Sequence, residues 1–202
     1  MTKRDRPNND VPSHNTNHHN PDRYVVFLRA INVTGRFVKM AELAAHCQAL
    51  GLHDVQTFIN SGNVVFSSPD TSAAALTEQL QTGLHQRLGF FSEAFVRSEV
   101  QVHTLAHRTA QLAQQVPEDG DLNVIFLQQP LDAAQTLLVQ NLSTAIDRFD
   151  TQGPELLWLC HLRQSQSTFS NAVLERRLKL RCTLRRAAML QRLSSQLLSG
   201  AG

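Results

Sequence analysis

Residues 54–67 read Asp54-Val55-Gln56-Thr57-Phe58-Ile59-Asn60-Ser61-Gly62-Asn63-Val64-Val65-Phe66-Ser67. β-Branched and aromatic residues fill both ends, and the small polar run Asn60 to Asn63 divides them. This predicts strands over Asp54–Asn60 and Val64–Ser67 joined by a tight hairpin turn, in which Asn63 tolerates a positive φ. A hairpin imposes antiparallel pairing, which argues against a parallel, doubly wound sheet. Upstream, Tyr24–Ile31 (YVVFLRAI) reads as a buried strand, and Lys39–Leu50 places Met40, Leu43, Ala44, Cys47 and Leu50 at helical spacing. Downstream, Ser68-Pro69-Asp70 opens a helix over Ala73–Leu88 that Gly89 ends, and Phe90–Arg97 supplies a fourth strand. The order is βαββαβ.

A helix over Glu99–Gln115, stopped at Pro117, leads into the same order again. Strands are expected over Leu122–Gln128, Ala145–Thr151, Glu155–His161 and Leu180–Arg185, with helices over Asp132–Leu142, Thr168–Leu178 and Ala187–Leu198. The fold class expected is α+β, with tandem ferredoxin-like (βαββαβ) units, a bridging helix and a C-terminal helix. The divisions are a disordered Asn/His-rich tail over 1–22, a first unit over 23–98, a bridging helix and loop over 99–121, and a second unit with its C-terminal helix over 122–202. The repeat rests on element order alone, because the halves share no sequence identity.

Hydrophobic residues make up 42% of the 202-residue chain and charged residues 18%, as in ordinary packed proteins. No apolar run is long enough to span a bilayer, and the first twenty residues lack the apolar stretch of a secretory signal, so no membrane association and a cytoplasmic location are expected. Cys47, Cys160 and Cys182 lie far apart without metal-site spacing and read as buried, reduced thiols. His14, His18 and His19 sit in the polar tail, and His103 and His107 share a helix face without a third ligand, so no metal is assigned. Phe27, Phe66 and Trp158 read as core rather than as stacking platforms. The net charge of +2 is unevenly spread: residues 161–202 hold eight Lys/Arg against Glu175 alone, whereas residues 23–160 hold eight against thirteen Asp/Glu. A basic end on an acidic body points to an anionic partner, either a small phosphorylated molecule or a nucleic acid.

The runs Leu28-Arg29-Ala30-Ile31-Asn32-Val33, Val38-Lys39-Met40 and Ser61-Gly62-Asn63-Val64-Val65-Phe66 resemble the signature of the bacterial domain of unknown function 1697 family, which reads approximately LRGINVGG, VKM and SGNVVF. Phe169-Ser170-Asn171-Ala172-Val173-Leu174-Glu175 is similar to a helix start found in one branch of it. The resemblance covers roughly residues 23–198 and implies a ferredoxin-like α+β fold with no agreed biochemical role. Three positions depart from the pattern: Ala30 and Thr34 stand where the family has Gly, and Arg186, after Arg185, stands where it usually has Asn.

Antiparallel pairing of the first and third strands brings Arg29, Asn32, Ser61, Gly62 and Asn63 to one sheet edge, where the loop leading to Lys39 and a helix N-terminus also lies. This is a candidate site for phosphate or carboxylate. In the second unit, Ser170 and Asn171, at a helix start capped by Ser167 or Thr168, lie beside Arg185 and Arg186 as a candidate oxyanion site. HExxH, GxSxG, P-loop and GxGxxG patterns are absent, so no catalytic residue and no cofactor is assigned. The leading expectation is a non-catalytic module that binds a phosphate-bearing or other anionic ligand, with nucleic acid among the candidates. Two alternatives stay open: an enzyme of unfamiliar type acting on a small anionic substrate, and an interaction module that forms a homodimer through sheet edges or the last helix.

Overall fold

The computed structural model describes residues 22–33, 35–69 and 72–199. Apart from Asp22, which opens the first strand, the expected tail lies outside the described residues. The first half runs β1 (Asp22–Leu28), α1 (Met40–Gln48), β2 (His53–Phe58), β3 (Asn63–Ser68), α2 (Ala73–Leu88) and β4 (Ala94–Ser98). After α3 (Glu99–Ala113), the second half runs β5 (Asp121–Phe126), α4 (Ala133–Gln140), β6 (Asp147–Gln152), β7 (Glu155–Cys160), α5 (Asn171–Leu178), β8 (Thr183–Arg186) and α6 (Ala187–Ser199). The protein is thus a mixed α+β structure with two four-stranded antiparallel sheets, ordered β2-β3-β1-β4 and β6-β7-β5-β8.

Local chemistry explains the boundaries. The Ser72 hydroxyl accepts from the Ala75 amide to start α2, and Gly89, at φ +73°, ends it. Ser98 with Gln101, and Asp132 with Gln135, form reciprocal capping boxes at α3 and α4. The first strand stops at Leu28 rather than Ile31 because Ala30 and Asn32 both adopt left-handed backbone at φ +57°. Asn63 is not the turn residue expected of it. Ile59 and Gly62 take the positive φ values, and Asn63 begins β3, fully buried. In the second half, α5 starts three residues later than expected, with Ser170 as its cap, because Ser167 turns its hydroxyl to the Asp147 carboxylate instead.

Each sheet buries its two faces differently. One face of the first sheet packs on α1 and α2 through Leu43, Cys47, Leu76 and Leu80, and one face of the second packs on α4 and α5 through Val139, Trp158, Phe169 and Leu174. The opposite faces share one core: Val25, Phe27 and Phe95 meet Val124, Phe126 and Leu157, with α3 and α6 closing the sides through Leu105, Leu112, Leu190 and Leu193. Phe27 and Phe126 stack across the junction at 4.0 Å, with their planes 16° apart. Each such ring contributes about 1.5–3 kcal/mol by burial. The apolar stripe of α6 is therefore consumed inside the chain, and α3 is a wall of the shared core as well as a connector.

Candidate functional site

Gly62 sets the geometry at the end of the first sheet. A Cβ there would lie 2.9 Å from Ile31 Cβ, so only glycine lets the turn close against β1, where the Leu28 amide donates to Gly62 O at 2.8 Å. That closure places Asn63 opposite Phe27 and buries it. Its Nδ2 donates to Phe58 O (3.1 Å) and Ser61 Oγ (2.9 Å), and its Oδ1 accepts from Arg185 Nε at 2.6 Å. Arg185 comes from β8 of the second sheet, and its Nη2 also donates to Leu28 O and Ser61 O, both at 2.8 Å. Burial pulls the Arg185 guanidinium down to about 10, which still leaves it charged at neutral pH.

A second arginine makes the reciprocal contact. Arg97 on β4 donates its Nε to Glu155 Oε1 and its Nη2 to Leu127 O (2.6 Å) and Pro154 O (3.3 Å). The register shows the equivalence: Arg97 pairs with Val25 and Arg185 with Val124, while Asn63 pairs with Phe27 and Glu155 with Phe126. Each guanidinium also donates Nη1 to the preceding carbonyl, Val96 O or Leu184 O, and lies 5.6–6.0 Å above the central ring of the other half, Phe126 or Phe27. Burial raises the Glu155 carboxyl above the usual carboxylate range, and Arg97 partly offsets that rise.

A third link is partly buried. Arg29 grips Glu175 on α5 in bidentate fashion, Nε to Oε1 and Nη2 to Oε2, both at 3.1 Å, and its Nη1 is 3.5 Å from Glu93. Arg181 bridges the same two carboxylates, and the Cys182 amide donates to Glu175 Oε1 at 3.0 Å.

The residues singled out in the sequence are therefore redistributed. Asn32 pins its loop by accepting from the Val38 amide (2.8 Å) and donating to Asn60 O (3.1 Å). Lys39 is exposed at the cap of α1, and Ser170 caps α5 by accepting from the Val173 amide. Asn171 begins that helix, and its Oδ1 is enclosed without a hydrogen-bond partner among the described residues. Arg185 and Arg186, expected together, part company, because adjacent strand residues face opposite ways. Arg186 pairs with Asp121 at 2.9 Å. The two expected sites instead meet through Arg185–Asn63 and Arg29–Glu175.

Beside Glu175 lies an open cleft of about 760 Å³, lined by Gln128, Arg176, Lys179 and Arg181 among others. Lys179 reaches it from a left-handed backbone at φ +55°, the turn that ends α5. These residues were missed in the sequence as individuals, although the basic excess after residue 160 signalled them.

Two antiparallel sheets packed face to face between outer pairs of helices, joined by buried arginines and flanked by a basic cleft, define a layered α+β protein. The chain belongs to the family of proteins of unknown function DUF1697, whose model matches residues 22–157. The match ends before α5 and β8, short of the span that the sequence resemblance suggested. The solved structure of the conserved bacterial protein SP0830 from Streptococcus pneumoniae is similar at 26% sequence identity and a TM-score of 0.65, covering 88% of this chain and 99% of that one. A comparison with curated proteins gives no match. Among the described residues, no helix is long and apolar enough to cross a membrane.

Proposed function

We propose that the chain is a non-catalytic, cytoplasmic binding module built from two ferredoxin-like units, and that it holds a phosphate-bearing or other anionic ligand in the cleft beside Glu175. The strand order shared by the two sheets supports the ferredoxin-like reading. One observation carries the binding reading. Arg176, Lys179 and Arg181 converge on one cleft in which, among the described residues, the single acidic wall residue, Glu175, is already held by Arg29, Arg181 and the Cys182 amide. The surplus charge is positive, and guanidinium and ammonium groups recognise phosphate oxygens directly.

In this reading Arg29, Gly62, Asn63 and Arg185 are positioning residues. They fix the first unit against the second, and Arg29 keeps Glu175 neutralised. Asn32, Lys39 and Ser61 shape the adjoining loop, and Ser170 and Asn171 start the helix that carries Arg176. Arg186 lies apart, on Asp121. A thermal-shift series with inorganic tripolyphosphate tests the proposal. The melting temperature rises with ligand in the native chain, and the rise disappears in Arg176→Gln/Lys179→Gln. An equal rise in that variant, or none in either protein, would refute it.

A further inference from the structure

We infer that the anion this chain takes carries aromatic rings as well as phosphates, and that the ligand is a single-stranded nucleic acid whose bases stack on a rim next to the cleft. The inference rests on the cleft reading and adds a ligand class to it.

The rim is formed by three loops at one end of the first sheet. Phe37, from the loop after β1, is 75% exposed, and Phe91, from the loop after α2, is 46% exposed. Val33, on the loop of Phe37, and Ile59, in the β2–β3 turn, are also exposed. Folding normally buries rings of this size, and elsewhere in this chain it does: Phe27, Phe66, Phe95 and Phe126 are enclosed. The same loops hold non-glycine residues in left-handed backbone, with Ala30 and Asn32 at φ +57° and Ile59 at φ +50°. For a β-branched residue that conformation is unusual, and such strain persists where neighbouring structure imposes it, often at functional sites. Arg36 Nη1 lies 3.5 Å from Phe91 O, its guanidinium lies 5.5 Å from the Phe90 ring, and Lys39 is exposed nearby on the same loop.

Glu93 ties the rim to the basic cleft, along the chain on one side and through ion pairs on the other. Two residues beyond Phe91, Glu93 accepts from Arg29 and pairs with Arg181, a wall residue of the cleft. Exposed rings beside a positively charged track are how proteins hold single strands, because every base offers a π-face to stack and every linkage a phosphate. A duplex hides those faces. Binding of nucleic acid through the open face of a four-stranded sheet is closed to this protein, since that face is buried against the other half.

Fluorescence anisotropy with a labelled single strand of about twelve nucleotides tests this on the native chain, Phe37→Ala, Phe91→Ala and Arg176→Gln/Lys179→Gln, beside a tripolyphosphate titration. Phe37 is three-quarters exposed, so its removal leaves the melting temperature unchanged, whereas Phe91 lies edge-on to His85 and its removal lowers the melting temperature slightly without unfolding the chain. The expected result is about a tenfold weaker affinity for the strand in each Phe variant, the loss of roughly one base stack, with tripolyphosphate binding untouched and a matched duplex bound more weakly than the strand. Strand affinity unchanged in both Phe variants, a duplex bound as tightly as the strand, or conversion of a dimer to a monomer by Phe37→Ala in light scattering would overturn the inference. Tripolyphosphate binding at the cleft without any effect of the Phe variants sinks the rim alone. Phe37-dependent strand binding that survives Arg176→Gln/Lys179→Gln supports the rim and removes the cleft.

Discussion

Arg185, on the last strand of the second sheet, donates its Nε to Oδ1 of Asn63, the first residue of β3 in the first sheet, at 2.6 Å. Arg97 and Glu155 make the equivalent contact in the opposite direction. The two halves thus close on each other as the subunits of a symmetric dimer would, but within one chain, and the cleft beside Glu175 forms where Arg29 of the first half reaches α5 of the second.

Removing Arg185 leaves Asn63 Oδ1 and the carbonyls of Leu28 and Ser61 without their guanidinium donor. At about 1–3 kcal/mol for each buried group left unsatisfied, Arg185→Ala is expected to destabilise the protein by at least about 3 kcal/mol in urea unfolding. Asn63→Ala alone also destabilises. The double variant costs less than the sum of the two, and a coupling energy near zero in this cycle would show that the contact does not join the halves.

Glu155 gives the stability a pH signature. Burial holds its carboxyl above the ordinary value of 4.5, so the folded state binds its proton more tightly than the unfolded state does. Its contribution to stability is therefore largest below 4.5 and is lost as pH rises through the higher folded value. Glu155→Gln has no proton to exchange, so the pH dependence of its stability lacks this downward component. An identical profile in the variant would contradict the assignment.

Backbone geometry around the turn yields opposite effects at two neighbouring positions. Ala30 stands at φ +57° where a Cβ is unfavourable, so Ala30→Gly is expected to stabilise by about 1 kcal/mol. Gly62→Ala combines a positive φ with a Cβ 2.9 Å from Ile31 Cβ and is expected to destabilise by roughly 1–3 kcal/mol. Chemical denaturation of the two variants checks both signs.

The three thiols are free and buried, and burial pushes Cys47 and Cys182 up to about 12 and raises Cys160 as well. None is expected to react with iodoacetamide near neutral pH in the folded protein, and all three to react once it is unfolded. Rapid labelling of any one in the native state, read by mass spectrometry, would show that its segment opens.

Element order was legible because its signals are local. The helix Ala73–Leu88 keeps the bounds expected of it and ends at a left-handed Gly89, but its cap is Ser72 rather than the Ser68-Pro69-Asp70 run that the sequence suggested. The end of β1 was not, because nothing about Ala30 announces a positive φ, whereas the glycine of the family signature does. Antiparallel register accounts for Asn63 lying opposite Phe27 and bonding Ser61, with Asn32 against Asn60 beside them, whereas Arg29 turns away to Glu175 and Glu93. What these residues touch in the other half did not follow. Arg29 and Glu175 are 146 positions apart, and Asn63 and Arg185 are 122. Hydrophobic periodicity shows that α6 and the inner faces of both sheets bury something, but not that they bury each other. Arg97 and Glu155 went unnoticed for the same reason, as isolated charges in otherwise apolar strands.

Equilibrium titration of tripolyphosphate at several salt concentrations is the decisive test of the proposal that the cleft beside Glu175 binds an anion by charge. Binding is expected in the native chain that weakens steadily as salt rises, with a markedly lower affinity and shallower salt dependence in Arg176→Gln/Lys179→Gln and an unchanged melting temperature of that variant without ligand. Affinity and salt dependence identical in the native chain and the variant would contradict it.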